Sequence, residues 1–384
     1  MNLVAGNRLT LLRNGAEFFP ALVAAIDSAM SDVRLETYIF EDDEAGRVVA
    51  HALSRAAARG ARVRLLVDGF GSRDLPARLV AHMEAAGVVV RRFRPERGWM
   101  RLRRNRLRRL HRKIALVDGR VGFVGGINIL DDRTGHEGEG PRYDYAVRVE
   151  GPLIAPIHAS VHQLWKLVAW ANFRRRLRVL VHAPVIADPR GNMRAAFLVR
   201  DNLRHRRDIE EAYLEAIKAA RKEIFLANAY FLPGIRFRHA LMHAAQRGVR
   251  VTILLQGRME YLLQHYASQA LFDALLGAGI RIFEYHLSFL HAKVAVIDGQ
   301  WATVGSSNID PFSLLLAREA NVVVSDEAFA AELRASLETA VVGGARELKR
   351  EDWQRKPWLH RLASWTAYGL VRLMIGIAGY GGKH

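Results

Sequence analysis

The chain has 384 residues, half of them hydrophobic and a quarter charged, with 57 Lys and Arg against 39 Asp and Glu, a formal net charge of +18, and no cysteine. This excludes a disulfide framework, a thiolate metal site and a cysteine nucleophile, and a chain this apolar is core-forming rather than a disordered basic tail. The excess charge requires a polyanionic partner, either nucleic acid or an anionic membrane surface.

The first ten residues lack the basic segment, apolar core and small-residue cleavage site of a secretory signal. No stretch before residue 358 offers the ~18 uninterrupted apolar residues of a membrane-spanning helix. The bulk of the chain is therefore expected to fold in water, in the cytoplasm. The pattern then predicts a strand at 33–40, an amphipathic helix at 44–59, a buried strand at 62–68, a helix at 75–86 and a short strand at 88–93. A helical and then very basic segment follows at 156–180, and a connector leading to a strand at 181–200. The opening order returns as a strand at 223–230, a helix at 237–247, a strand at 249–256, a helix at 268–276 and a strand at 281–285. Ala57-Ala58-Arg59-Gly60 is echoed by Ala245-Gln246-Arg247-Gly248. Alternating β and α of this kind predicts an α/β protein whose mixed sheet, covered by helices, is built twice. The expected division is a first lobe at 1–155, a basic aromatic connector at 156–195, a second lobe at 196–343 and a separate tail at 344–384.

The repeat is sharpest where residues 110–129 lie over 290–309, with ten of twenty positions identical. The identities include His111 and His291, Lys113 and Lys293, Asp118 and Asp298, and Asn128 and Asn308. Duplication that kept only a fold would preserve apolar periodicity and turns, not these polar groups. His and Lys two apart on a strand point to one face. The return through Gly125-Gly126-Ile127-Asn128 or Gly305-Ser306-Ser307-Asn308 brings an amide, and backbone N–H groups at small residues such as Gly126 and Ser306, beside them. Imidazole, ammonium and amide together form a phosphate-binding set that contains a nucleophile. Across a pseudo-twofold axis, one histidine attacks phosphorus while the other protonates the leaving oxygen and later deprotonates the incoming alcohol or water. Only eight of the 57 basic residues are lysine, so lysine in both copies indicates a need for a compact point charge rather than a guanidinium fork. No metal or other cofactor is implied, since a lysine beside each histidine repels a divalent cation and no carboxylate cluster accompanies them.

His-x-Lys-x4-Asp with a downstream Gly-Gly/Ser-x-Asn, present twice, resembles the phospholipase D superfamily over roughly residues 7–345. Leu35-Glu-Thr-Tyr-Ile39, Asp68-Gly-Phe-Gly-Ser72, Tyr143-Asp-Tyr-Ala-Val-Arg148, Asn228-Ala-Tyr-Phe-Leu-Pro-Gly234 and the segment from Trp301 to Pro311 resemble its bacterial cardiolipin synthase branch, the B-type most closely. The resemblance implies two pseudo-symmetric lobes with the active site between them. It also implies transfer of a phosphatidyl group from one phosphatidylglycerol to the hydroxyl of a second phospholipid alcohol, through a phosphatidyl-histidine. His111 is then the nucleophile and His291 the acid/base, and Asp144 and Glu319 fall where the family places the carboxylates that orient the histidines. Asp118 and Asp298 belong to the catalytic motif, with a structural role preferred to direct participation. Ala317-Arg318 before Glu319 departs from relatives, which carry Asn and an apolar residue there. Phospholipase D-type hydrolysis and nucleic-acid phosphodiester cleavage are the rival readings; a non-enzymatic membrane-binding module fits poorly with an intact double motif.

Residues 91–113 carry twelve basic groups and one acid, with no counterpart in the second half. Basic residues near an anionic bilayer contribute about 1 kcal/mol each, so Trp99, Arg101, Arg103, Arg104 and Arg106 are expected to bind a membrane surface rather than nucleic acid. Trp165, Trp170 and Phe173 ahead of Arg174-Arg175-Arg176 suit either a bilayer interface or a core. The apolar tail around Trp365 is expected to lie in the plane of the membrane, with a helix docked on the domain or a true span as alternatives. Together these predict a peripheral protein on the cytoplasmic face of a bacterial inner membrane, with phosphatidylglycerol and cardiolipin as lipid partners. His239 and His243 have metalloprotease spacing without the adjacent Glu, and Gly69-Phe70-Gly71 lacks the third glycine of a dinucleotide loop.

Overall fold

The computed structural model describes residues 1–95, 108–132, 140–171, 185–201, 205–259, 261–310 and 317–375. The first lobe contains β1 (Val4–Arg13), β2 (Asp32–Thr37), β3 (Arg62–Asp68), β4 (Val89–Phe93), β5 (Arg109–Leu110), β6 (Lys113–Val117), β7 (Val121–Gly125), β8 (Gly140–Tyr143) and β9 (Tyr145–Glu150). Its helices are α1 (Asn14–Asp27), α2 (Glu44–Ala58) and α3 (Ala77–Ala85), and α4 (Ile154–Ala171) follows. The second lobe contains β10 (Met193–Arg200), β11 (Glu223–Asn228), β12 (Arg250–Gln256), β13 (Arg281–Tyr285), β14 (Ser288–Leu290), β15 (Lys293–Ile297), β16 (Trp301–Gly305), β17 (Ala317–Ser325) and β18 (Ala345–Leu348). Its helices are α5 (Asp208–Ala219), α6 (Ile235–Gln246), α7 (Leu262–Gln269) and α8 (Phe272–Gly277), with further helices at Glu327–Gly344, Arg350–Gln354 and Trp358–Ile375.

The strand order states the duplication directly. From the middle outward the first lobe runs β1-β9-β7-β6-β2-β3-β4 and the second β10-β17-β16-β15-β11-β12-β13-β18, and β1 pairs antiparallel with β10 to join them into one sheet. In both lobes the three consecutive strands that alternate with helices are parallel, β2-β3-β4 and β11-β12-β13, and the motif strands pair antiparallel beside them. Each lobe has its own outer core, built in the first by Val49, Leu53, Val63 and Leu65 and in the second by Leu241, Val251, Ile253 and Leu275. A third core is shared, with Leu116 and Val147 of one lobe packed with Val296 and Val322 of the other, and with α4 and the helix Glu327–Gly344. The two lobes are therefore held rigidly together rather than hinged on a polar interface.

The repeated Ala-Ala-Arg-Gly and Ala-Gln-Arg-Gly phrases are helix ends. Gly60 (φ +96°) and Gly248 (φ +86°) take the left-handed conformation after α2 and α6. Ala61 and Val249 then donate back to Ala56 and Ala244, at 3.1 Å each, which turns the chain into the next parallel strand.

Some boundaries differ from expectation. The strand predicted at 33–40 ends at Thr37, and Phe40 forms only an isolated bridge with Ile129. The helix predicted at 268–276 is two helices, α7 and α8, broken at Ala270-Leu271. The helix predicted from 156 runs as α4 and carries Trp165 into a small core with Leu66, Phe93 and Leu110, where the Arg91 guanidinium lies 4.7 Å from its ring. Of the two readings weighed for Trp165, core packing holds. Trp170 is exposed, and Phe173 with the arginines after it lies outside the described residues. Among the described residues no helix is long and apolar enough to cross a membrane.

Candidate active site

Each histidine is placed by a strand of its own lobe and held by the other. β5, which leads into His111, pairs parallel with β17, Leu110 standing opposite Arg318, and the His111 N–H donates to the Arg318 carbonyl at 3.0 Å. β14, which leads into His291, pairs parallel with β8, Leu290 opposite Tyr143, and the His291 N–H donates to the Tyr143 carbonyl at 2.9 Å. The residue after that carbonyl is Glu319, on β17, in one case and Asp144, between β8 and β9, in the other. The carboxylates are thereby crossed: His111 Nδ1 lies 2.9 and 3.1 Å from the two Glu319 oxygens, and His291 Nδ1 lies 2.6 Å from Asp144 Oδ2. A carboxylate on Nδ1 holds the proton there and leaves Nε2 with its lone pair toward substrate.

The carboxylates are themselves fixed, differently in each half. Glu319 accepts from the Ser306 hydroxyl at 2.5 Å, and that oxygen accepts the Ala320 N–H at 3.0 Å. Asp144 accepts the Tyr145 N–H at 2.8 Å, and its own N–H is taken by Asn14 Oδ1 at 3.0 Å. The position equivalent to Ser306 is Gly126, where a Cβ would collide with the Asp144 carboxylate. Gly126 and Ser306 were expected to offer N–H groups to phosphate. Both amides instead donate within the sheet, to the Tyr145 and Ala320 carbonyls at 2.9 and 3.0 Å. Gly126 leaves room for the Asp144 carboxylate, and Ser306 holds Glu319 through its hydroxyl.

Lys113 and Lys293 are buried, and their ammonium groups reach the backbone carbonyls of His111, at 2.6 Å, and of His291. Lys293 Nζ also lies 3.9 Å from Asp144. Burial holds Lys113 down to about 7, opposed by Glu319 and assisted by Lys293. Burial raises Asp144 to about 6 against the pull of Lys293. His291 is held well below its usual range by burial and then by the two lysines, and His111 is lowered by burial, with Glu319 opposing. Two imidazoles held toward the neutral form and two buried ammonium groups, backed by the Glu319 and Asp144 carboxylates, put a nucleophile, an acid/base and countercharge in one place. Asn128 accepts the Ile39 N–H at 3.1 Å, and its side-chain NH2 donates to no described residue; Asn308 is buried at the equivalent place.

Asp118 and Asp298 lie away from this chemistry. Both sit at left-handed turns (φ +50° and +53°). The Asp118 carboxylate accepts N–H bonds from Met30, Ser31 and Asp32 at 2.8 to 2.9 Å, and Asp298 those of Arg221, Lys222 and Glu223 over the same range. Each satisfies the chain as it enters the strand beside the motif, and neither is hydrogen-bonded to its histidine.

A sequence model of the family described as "Cardiolipin synthase, PLD-like domain" matches residues 22–165 and 213–341. The chain belongs to this cardiolipin synthase family. It is thereby an enzyme of the phosphatidyltransferase class, as the doubled motif led us to expect. The chain is 38% identical to cardiolipin synthase B of Salmonella typhi and to that of Escherichia coli K12, over 375 residues that make up 98% of this chain and 90% of each relative. Its fold matches the crystal structure of a phosphatidylserine synthase from Haemophilus influenzae Rd KW20 with a TM-score of 0.73, covering 97% of this chain and 96% of that one at 12% identity. At that identity the likeness speaks for the two-lobed architecture alone.

Several residues that shape the site of this cardiolipin synthase family member escaped the sequence reading. Tyr38 sets its ring against His111 with centroids 4.9 Å apart. Asp68 accepts the Leu110 N–H at 2.8 Å and so holds the strand that carries His111. Phe289 stacks on His291 at 6.1 Å, and the Arg142 guanidinium lies 5.0 Å from the Phe289 ring. Tyr38 and Asp68 fall within phrases that carried the family resemblance, so a signal was present without a role attached. Phe289 and Arg142 had none. Trp99, Arg101, Arg103, Arg104 and Arg106 lie outside the described residues. Trp365 is exposed on the terminal helix.

Proposed function

We propose that the protein joins two molecules of phosphatidylglycerol into cardiolipin and glycerol, working peripherally on the cytoplasmic face of the inner membrane. His111 Nε2 attacks phosphorus, the bond from phosphorus to the glycerol oxygen breaks, and His291 gives that oxygen its proton. His291 then takes the proton of a second lipid's hydroxyl, whose oxygen attacks phosphorus and frees His111. Lys113 and Lys293 carry the charge that builds on the non-bridging oxygens. The observation that supports this most is the crossed pairing of two Nδ1-anchored histidines around two buried lysines, which provides nucleophile, acid and countercharge together. An anionic diester beside His291 favours its charged form, so the proton the acid needs is taken up from solvent as substrate binds.

The reading is tested by incubating the purified protein with phosphatidylglycerol in mixed micelles and separating the lipids. Cardiolipin with stoichiometric glycerol is the expected result. Phosphatidic acid alone would mean hydrolysis, and DNA cleavage without lipid turnover would overturn the lipid reading.

The terminal helix supplies a surface for the membrane. Ser364, Ala367 and Val371 are buried, and His360 meets Tyr266 of α7 with centroids 5.3 Å apart. On the outer face Trp358, Leu359, Leu362, Trp365 and Leu373 are each more than half exposed. The helix contains no acid, and Arg361 and Arg372 flank the apolar face. Tyr261 and Leu262, exposed at the start of α7, carry apolar surface on the helix it packs against. An apolar face edged by cations suits the interface of an anionic bilayer. Burying a large side chain contributes about 1.5–3 kcal/mol, so Trp358→Ser and Trp365→Ser should each weaken partition into phosphatidylglycerol-containing vesicles by about tenfold or more. Unchanged sedimentation of both variants with vesicles would contradict this surface.

A further inference from the structure

The two half-sites share their strands and differ in what lies beside them. In the first lobe the Tyr38 ring fills the space against His111, with the Lys113 ammonium 5.6 Å from its centroid. In the second lobe β11 pairs with β15 so that Asn228 stands opposite Lys293, and the following N–H, of Ala229, donates to the Ala292 carbonyl at 2.9 Å. Ala229 thus occupies the place of Tyr38, beside the link between His291 and Lys293. Where one lobe has a phenol ring, the other has a methyl group and a cavity.

The cavity is open to solvent on one side, has about 470 Å³ of space including the solvent at its mouth, and extends from Ala229 to α7. Gln256 lines it at the end of β12, where the first lobe has Asp68. Gln256 Oε1 accepts the Arg258 N–H at 3.1 Å, as Asp68 accepts that of Phe70 at 2.8 Å. The rest of the comparison fails: Asp68 also accepts from Leu110, whereas Gln256 Nε2 is buried and donates to no described residue. Gln269, more than nine-tenths buried, pairs through Nε2 with His265 Nε2 at 2.9 Å and leaves its Oε1 without a donor among the described residues. A buried amide group left unpaired costs about 1–3 kcal/mol. One unpaired donor and one unpaired acceptor lining the same cavity match a ligand whose groups do both, which is the property of hydroxyls. Glu284 and Arg258 both line the wall, and opposite charges in one lining suit a neutral polyol rather than a second phosphate.

We propose that this cavity is the headgroup subsite: it holds the glycerol that leaves the donor lipid and then the glycerol hydroxyl of the lipid that attacks. The proposal rests on the transfer reading above with His291 as acid/base, because in-line displacement puts both the leaving and the entering oxygen on the side away from the nucleophile.

The test compares kcat/KM for the release step in a first turnover, which needs no acceptor: glycerol from phosphatidylglycerol against ethanol from phosphatidylethanol, whose headgroup has no free hydroxyl, in mixed micelles of the same composition otherwise. In Gln256→Leu and Gln269→Leu the ratio should fall about fivefold each, the value of one hydrogen bond, chiefly through KM for phosphatidylglycerol. Ala229→Phe, which fills the cavity from the side of the catalytic strand, should lower the ratio further. The thermal midpoints of the two leucine variants should drop by no more than the loss of one hydrogen bond, since each replaces an amide with one paired and one unpaired end by an apolar group, and that measurement separates a lost contact from a lost fold. An unchanged ratio in folded variants would mean that the cavity holds water only, and equal loss on both lipids would mean a structural role; either overturns the proposal. If the unsubstituted protein releases glycerol but forms no cardiolipin, the transfer reading fails, while the ratio for the release step still decides the headgroup subsite.

Discussion

His111→Ala and His291→Ala should each lower cardiolipin formation by at least about 1,000-fold, since each removes a group that no neighbour replaces. The two losses should differ in kind. With a phosphatidyl substrate carrying a nitrophenol leaving group, departure needs no proton, so His291→Ala should still release nitrophenol once and retain phosphatidate on the His111 peptide, detectable by mass spectrometry. His111→Ala should do neither. An adduct on His291 instead would reverse the assignment of roles. The crossed carboxylates extend the test: Asp144→Asn should behave like His291→Ala and Glu319→Gln like His111→Ala, each weaker by one to two orders of magnitude because the imidazole remains and only its tautomer and position are lost. Asp144 lies in the same lobe as His111, so a phenotype that followed the lobe rather than the 2.6 Å contact to His291 would refute the crossed arrangement.

The second large effect is in the pH profile. Phosphodiesters carry one negative charge throughout the neutral range, so only protein groups titrate there. Burial raises Asp144 to about 6, and below that value the carboxyl is protonated and no longer anchors His291 as an anion. Burial lowers Lys113 to about 7, and above that value the site loses a cation that the phosphate needs. kcat/KM should therefore peak between about 6 and 7 and fall on both sides. Lys113→Met should lower the maximum by about 100-fold and abolish the alkaline limb, and a limb that stays in place in this variant would show that another group titrates. The same shifts act on folding with opposite signs. Between about 7 and the usual lysine range the unfolded chain holds the Lys113 proton and the folded chain does not, so this group's contribution to stability rises with pH there. Between the usual aspartate range and about 6 the folded chain holds the extra proton on Asp144, so that contribution falls as pH rises.

Much of the candidate site was legible because its geometry is local. His and Lys two apart share a face of any strand, and two such strands at a constant offset demanded a paired site. The echoed phrases ending in Gly60 and Gly248 were visible as a repeat, and the structure shows them to be helix ends. Elements without period or punctuation were harder. The break between α7 and α8 follows from packing in the second core, since Ala267, Leu271, Phe272 and Leu275 read in sequence as one apolar helical run. The basic run near 91–113 drew attention to a surface role, yet Arg91 beside Trp165 and Arg112, bonded to Glu36 at 2.6 Å, are used within the protein.

What the sequence determined by itself was the set of reactive groups, a histidine, a lysine and an asparagine in duplicate, the twofold α/β plan they require, and the family to which they belong. Which carboxylate serves which histidine was settled only by the tertiary structure. His111 meets Glu319 across 208 positions and His291 meets Asp144 across 147, and both contacts depend on strands pairing in parallel between lobes. The cavity beside Ala229 and the docking of the terminal helix on α7 are of the same kind. Spacing along one strand is set by bond geometry, whereas contact between distant segments is set by how apolar faces pack, and that packing has no signature in the neighbouring residues alone.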